Sequence, residues 1–96
     1  MHVVIRIYRG KGTKKLFDAA EAHEAELQSL MRAIDGLVSY TLARNHDGGF
    51  SVTVSRDKRG INRSLKTARA FLARHVPETS HAAMHISEGT VITHVH

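Results

Sequence analysis

LVSYTLARNHDGGFSVTVSRD, residues 37–57, decides the fold, because two alternating runs flank a cluster of turn residues. Residues 37–44 and 50–56 read as strands, with apolar and short hydroxyl side chains at successive positions. Between them Asn45, His46, Asp47, Gly48 and Gly49 favour a tight reversal, so the pair reads as a hairpin. Asp57 then stands where a helix needs an N-cap acceptor. The helix it opens is predicted to run to about His75 and to stop ahead of Pro77. Its inner stripe is Ile61, Leu65, Ala68, Leu72 and His75, with Arg59, Arg63, Lys66 and Arg74 facing outward.

Upstream, residues 2–9 alternate Val3, Ile5 and Ile7 with Val4, Arg6 and Tyr8, and Gly10 and Gly12 end that strand. Thr13 is expected to cap a helix over 14–34 whose inner stripe is Leu16, Ala20, His23, Leu27, Leu30 and Ile34. Asp35 and Gly36 close it, the glycine suiting a left-handed position. The tail, 81–96, is β-like, with a bulge or kink expected at Glu88 and Gly89. The order β-α-β-β-α-β with right-handed crossovers predicts a single α+β domain of ferredoxin-like form. Its four-stranded antiparallel sheet carries two helices on one face.

Ninety-six residues, 42% apolar and 24% charged, suit one globular domain and argue against disorder. The lack of cysteine excludes disulfides, thiolate zinc sites and a cysteine nucleophile. The opening apolar run is too short and interrupted for a membrane span or signal peptide, so a cytoplasmic protein without a membrane partner is expected.

The two sheet faces differ in character. Val3, Ile5, Ile7, Val38, Tyr40, Leu42, Phe50, Val52 and Val54 form an apolar set expected to lie under the helices. Val4, Arg6, Tyr8, Leu37, Ser39, Thr41, Ala43, Ser51, Thr53 and Ser55 form a set of small, hydroxyl-bearing and β-branched residues. A solvent-facing sheet carries more charge than this, so the second face is expected to meet another sheet in a homodimer. The net charge of +5 attracts polyanions without selectivity. Specific RNA recognition needs aromatics on the open face of the first and third strands. Only Tyr8 lies on the face taken as open, Phe50 being assigned to the covered one, so no specific nucleic-acid partner is expected.

The stretch from Ile34 to Val76 resembles the dimeric α+β-barrel superfamily, especially its antibiotic-biosynthesis-monooxygenase-like branch. The shared pattern is a helix running into Ile34-Asp35-Gly36-Leu37 with Tyr40 beyond, a hairpin, then Ser-Arg-Asp leading into an alanine-rich helix. The resemblance implies a sheet-to-sheet homodimer that holds a small apolar or aromatic molecule between helices and sheet. It further implies cofactor-independent or haem-linked monooxygenation, or a non-catalytic carrier or sensor using the same cleft. Haem-degrading members carry a histidine near the end of the second helix, where this chain has His75. They also use an asparagine on the first strand and a tryptophan; here Ile7 or Tyr8 stands at the former place and tryptophan is absent. The polar set of the small-aromatic oxygenases is likewise incomplete, Arg6, Tyr8 and Asn62 being the nearest candidates. The cofactor stays open.

His23 and His75 stand out on the inner stripes as candidates for a general base, and His75 also for an axial metal ligand. The alternative for each is a core-edge histidine bonded to a backbone carbonyl. Rise along two antiparallel helices separates them by roughly 10 Å or more, so they are expected to act apart. His94 and His96, with His2 alongside, have a spacing metals use, but no carboxylate is near in sequence. They read as a frayed terminus and no metal site is assigned. No phosphate loop, serine elbow or paired-carboxylate motif occurs.

Overall fold

Four strands follow one another in the expected order, with the first helical segment split in two. The computed structural model describes residues 1–77 and 83–95. Strands β1 (His2–Arg9), β2 (Leu37–Asn45), β3 (Gly48–Ser55) and β4 (Ala83–Thr90) form one antiparallel sheet ordered β2-β3-β1-β4. Helices α1 (Thr13–Ala22) and α2 (Glu24–Arg32) join β1 to β2, and α3 (Lys58–His75) joins β3 to β4. This is the ferredoxin-like arrangement. No described helix is long and apolar enough to cross a membrane.

Local chemistry explains most boundaries. Asp57 caps α3 as expected, its carboxylate accepting the Gly60 amide at 3.2 Å. Gly36 takes a φ of 87°, the left-handed conformation its position calls for. The hairpin is tighter than five residues: Asn45 pairs with Gly48, and only His46 and Asp47 turn. Asn45 Oδ1 accepts the Asp47 amide at 3.0 Å. Gly49 is drawn into β3, where a Cβ would overlap Phe17 and the Ala43 carbonyl. Thr13 does not cap α1 as an acceptor. Its hydroxyl donates back to the Gly10 carbonyl at 2.8 Å, closing the turn that leaves β1.

Three expectations are corrected. The first helix breaks at His23, whose φ of −119° and ψ of 33° leave the helical range. Glu24 and Glu26 then occupy the first turn of α2, where negative charge favours a new N-terminus. Secondly, no bulge interrupts β4: Glu88 pairs with Val4 and Gly89 with Val3 in unbroken register. Glu88 is held by Lys58 at 3.2 Å, and nothing lies within 4 Å of where a Gly89 Cβ would stand.

Thirdly, the faces of β1 and β3 are inverted. Val4, Arg6, Ser51, Thr53 and Ser55 are buried under the helices, while Ile5 and Phe50 are exposed on the other side. Thr53, expected at a dimer interface, is 0% exposed beneath the helices. On β2 the assignment holds for Tyr40 and Leu42, which pack on the core of Ala20, Leu27, Met31 and Phe71. The irregularity between Leu37 and Ser39 shifts that strand's phase relative to β3. The bulk of the core comes from the helices (Leu16, Phe17, Leu27, Met31, Ile61 and Phe71), so the sheet beneath them must be small.

Two substitutions separate the faces. Thr53→Lys buries an unpaired charge at a cost of several kcal/mol, comparable with a small domain's whole stability, and the chain is expected to lose its cooperative thermal transition. Ile5→Lys is expected to keep the far-ultraviolet circular dichroism and the transition. A folded Thr53→Lys protein would contradict the inverted assignment.

Candidate functional site

Arg6 lies on the helix-covered face of β1 between Val4 and Tyr8, and is only 3% exposed. Its Nε has no hydrogen-bond partner, and no carboxylate among the described residues lies within ion-pair distance. Ser51, its register partner on β3, and Thr53 also have buried hydroxyls without partners. The Arg6 Nε–H is thus shielded from water and donates to no group of the protein. Each buried hydroxyl left unpaired costs roughly 1–3 kcal/mol, and an unpaired charge costs more.

Two phenols flank the guanidinium. Burial pushes the Tyr40 hydroxyl up to about 12; the charge of an ionised Tyr8 would raise it further and Arg6 opposes the rise. Tyr40 is therefore a neutral O–H at any physiological pH. It lines a cleft of about 420 Å³ between α1, α2 and β2, together with Phe17, Leu27, Leu42 and Arg44. Tyr8 lines a second cleft of about 340 Å³ under α3, whose walls include Leu16, Leu65, Ala68, Leu72, Val76 and Met84. The Tyr8 ring meets Phe17 edge-on at 6.1 Å, so Phe17 divides the two spaces. The second cleft is the more apolar. Among the described residues that line it, Arg69 carries the one charge.

The histidines gather elsewhere. His23 is exposed at the helix break instead of lying on an inner stripe, and its ring stacks on His75 with centroids 3.8 Å apart and planes 18° from parallel. The expected separation is wrong because it assumed one straight helix. His75 Nε2 lies 3.2 Å from both oxygens of Glu26, which Arg74 also pairs with. The hydrogen bond from His75 chiefly holds the Glu26 carboxyl below its usual range, against a desolvation that raises it; Arg74 adds to the lowering. Phe71 packs beside both imidazoles. Neither histidine lines either cleft. Haem does not fit these residues: the His75 ring is stacked against His23 and lies outside both clefts, leaving no apolar space for a macrocycle beside it among the described residues.

The other candidates scatter. Asn62 is exposed early in α3 and touches neither cleft. Arg59 pairs with Asp57, and Arg74 with Glu26, so the basic face of α3 is partly neutralised. Phe50 is on the open sheet face and Tyr8 on the covered one, the reverse of the expectation, so base stacking on the first and third strands again lacks its paired aromatics. His94 lies beyond the end of β4, and His81 and His96 lie outside the described residues. Glu26 was not singled out by sequence reasoning, and Tyr40 was read only as an apolar residue of the covered sheet face. For Glu26, the signal was its place three residues after His23.

No protein-family model and no curated protein sequence matches the chain. Solved structures do. A monooxygenase from the gene ActVA-Orf6 of Streptomyces coelicolor, in complex with the ligand nanaomycin D, is 15% identical with a TM-score of 0.64, over 98% of this chain and 89% of that one. A point mutant of MhuD, with two manganese protoporphyrin IX bound per active site, is 15% identical with a TM-score of 0.66, over 100% and 99%. A dimeric ferredoxin-like protein of unknown function from Jannaschia sp. CCS1 is 14% identical with a TM-score of 0.63, over 95% and 100%. These likenesses show the fold. The structural neighbours are monooxygenase-like dimeric α+β-barrel proteins, as the resemblance in residues 34–76 implied.

The Glu26 pairing makes a pH prediction. A carboxyl lowered in the folded state adds stability above its unfolded pKa of about 4.3, and this is lost as pH falls through the lower folded value. Glu26→Gln is expected to lower the thermal midpoint at neutral pH, with the difference from wild type closing as pH drops below about 4. A constant difference would show that the ion pairs do not carry the effect.

Proposed function

We propose that this protein is a homodimeric, monooxygenase-like small-molecule protein that holds a planar apolar or aromatic ligand under α3, with a ligand oxygen directed to Arg6. The observation that carries this reading is the Arg6 Nε, buried without an acceptor on the helix-covered face of β1, two residues from Tyr8, whose ring lines the apolar cleft. An enol or phenol oxygen reaching Arg6 would supply the missing acceptor. A fixed cation favours the ionised form of such a ligand, and the ionised ring is the electron-rich form that reacts with dioxygen. Leu16, Leu65 and Leu72 exclude water and strengthen that attraction. The cations Arg6 and Arg69 favour ligands acidic enough to ionise near neutral pH.

The mainly apolar lining of the cleft also supports a second reading, in which it carries or senses its ligand without changing it. The dimer is supported by the outer face of the sheet, where Ile5 and Phe50 are exposed beside Val3, Ile7 and Val52. An apolar sheet face of this kind packs against a second sheet. In this reading Ser51, Thr53 and Ser55 are core while Ile5, Phe50 and Val52 form the interface, the reverse of the assignment from alternation for those strands.

Titration with a panel of hydroxyquinones and planar phenols tests the cleft. Binding to the wild type is expected to weaken about 10- to 100-fold in Arg6→Met, the range set by one charge-assisted hydrogen bond of about 1.5–3 kcal/mol. Oxygen uptake without added cofactor marks an oxygenase; unchanged ligand marks a carrier. Equal affinity of wild type and folded Arg6→Met would remove the proposal. For assembly, sedimentation is expected to give twice the chain mass for wild type and the chain mass for Ile5→Lys.

A further inference from the structure

We infer that His23, Glu26 and His75 form a binding site for a first-row divalent cation of the zinc type, separate from the ligand cleft. One ligand atom from each residue lies within 4.8 Å of the other two. Four-coordinate zinc with bonds of about 2.0–2.1 Å holds its ligand atoms roughly 3.4 Å apart. The three side chains therefore need to close by little more than an ångström.

The cluster divides into a fixed ligand and two adjustable ones. His75 is held on the last turn of α3 by Phe71 and Glu26, and its side chain is only 17% exposed. His23 is exposed, so its ring is free to leave the stacked position. It has to do so, because two parallel rings direct their nitrogen lone pairs along parallel planes and do not converge on one ion. Rotation about the side-chain torsions of an exposed histidine is cheap. Glu26, three residues after His23 and partly exposed, is on the same side of the helical turn and reaches the ion with either oxygen.

The donor chemistry selects the ion class. Two imidazoles and one carboxylate suit zinc and its neighbours, and are poor ligands for magnesium or calcium, which prefer all-oxygen sets. Arg74 on the same carboxylate is an outer partner that orients Glu26. Three protein ligands leave a fourth position toward solvent for water. The break at His23 has a consequence here. An uninterrupted helix would not present this ring to the end of α3. Neither histidine nor Glu26 lines the spaces beside Tyr8 and Tyr40, so occupation of the two sites is independent.

Cobalt(II) and zinc titrations test the site, using protein in which His94→Ala and His96→Ala remove the terminal histidines. The expected result is one cobalt per chain with the intense visible bands of a four-coordinate complex, discharged by zinc. Zinc is also expected to raise the thermal midpoint of this protein and not of the same protein with His23→Ala. His23→Ala and Glu26→Gln each weaken binding at least tenfold, while His46→Ala leaves it unchanged. His23 is exposed, so its replacement preserves the fold and isolates ligation. Binding that survives His23→Ala, a stoichiometry of one metal per two chains, or the faint spectrum of a six-coordinate ion would each overturn the inference.

Discussion

The contact between Gly60 and Ser55 governs how this chain folds. A Cβ on Gly60 would overlap the Ser55 hydroxyl, so the first turn of α3 lies directly on the end of β3. Ser55 Oγ donates to the Gly36 carbonyl at 3.0 Å, and the Arg56 amide donates to the same oxygen at 2.8 Å. Three segments distant in sequence are thus fastened at one point. A helix that close tolerates only small side chains beneath it, and β3 supplies Ser51, Thr53 and Ser55. Once that face is inside, Arg6 goes inside with it, because Arg6 and Ser51 are register partners. Ile5, Val52 and Phe50 are then turned outward.

This explains which parts of the structure were legible in the sequence. The hairpin, the Asp57 cap and the strand and helix order rest on local chemistry, and local chemistry is visible in a string of residues. The facing of β1 and β3 depends on volume balance across the whole core. With Phe17, Met31 and Phe71 projecting from the helices, a large apolar sheet face would overfill the space. Alternation alone assigns the more apolar face to the inside, and a period of two makes the error total for each strand. The lack of charge among Val4, Ser51, Thr53 and Ser55 was read as a contact with a second sheet, whereas it marks the face beneath the helices. The Gly60–Ser55 pair was the clue to which side meets the helices.

The candidate site shows the same division. Arg6 and Tyr8 were recognisable as polar residues on a strand short of charge, but their burial depended on the inversion. Tyr40 was placed in the core and not read as a donor. The histidine cluster was hidden by treating 14–34 as one helix. Two acidic residues directly after His23 mark a fresh helix start, and with that break the two imidazoles meet. A local signal, read only locally, would have been sufficient to bring His23 off the inner stripe.

The facing of the sheet and the chemistry of the cleft both depend on the position of one guanidinium. Its distinguishing property is an Nε–H that is shielded from water and bonded to nothing in the protein. In proton–nitrogen correlation spectra of arginine-labelled protein, one Nε–H resonance should exchange slowly with solvent, disappear in Arg6→Lys and move when a hydroxyquinone binds. If every arginine Nε–H exchanges at the rate of a solvent-exposed side chain, Arg6 does not lie beneath the helices. The facing of the sheet, the cleft and its ligand chemistry would then all be contradicted.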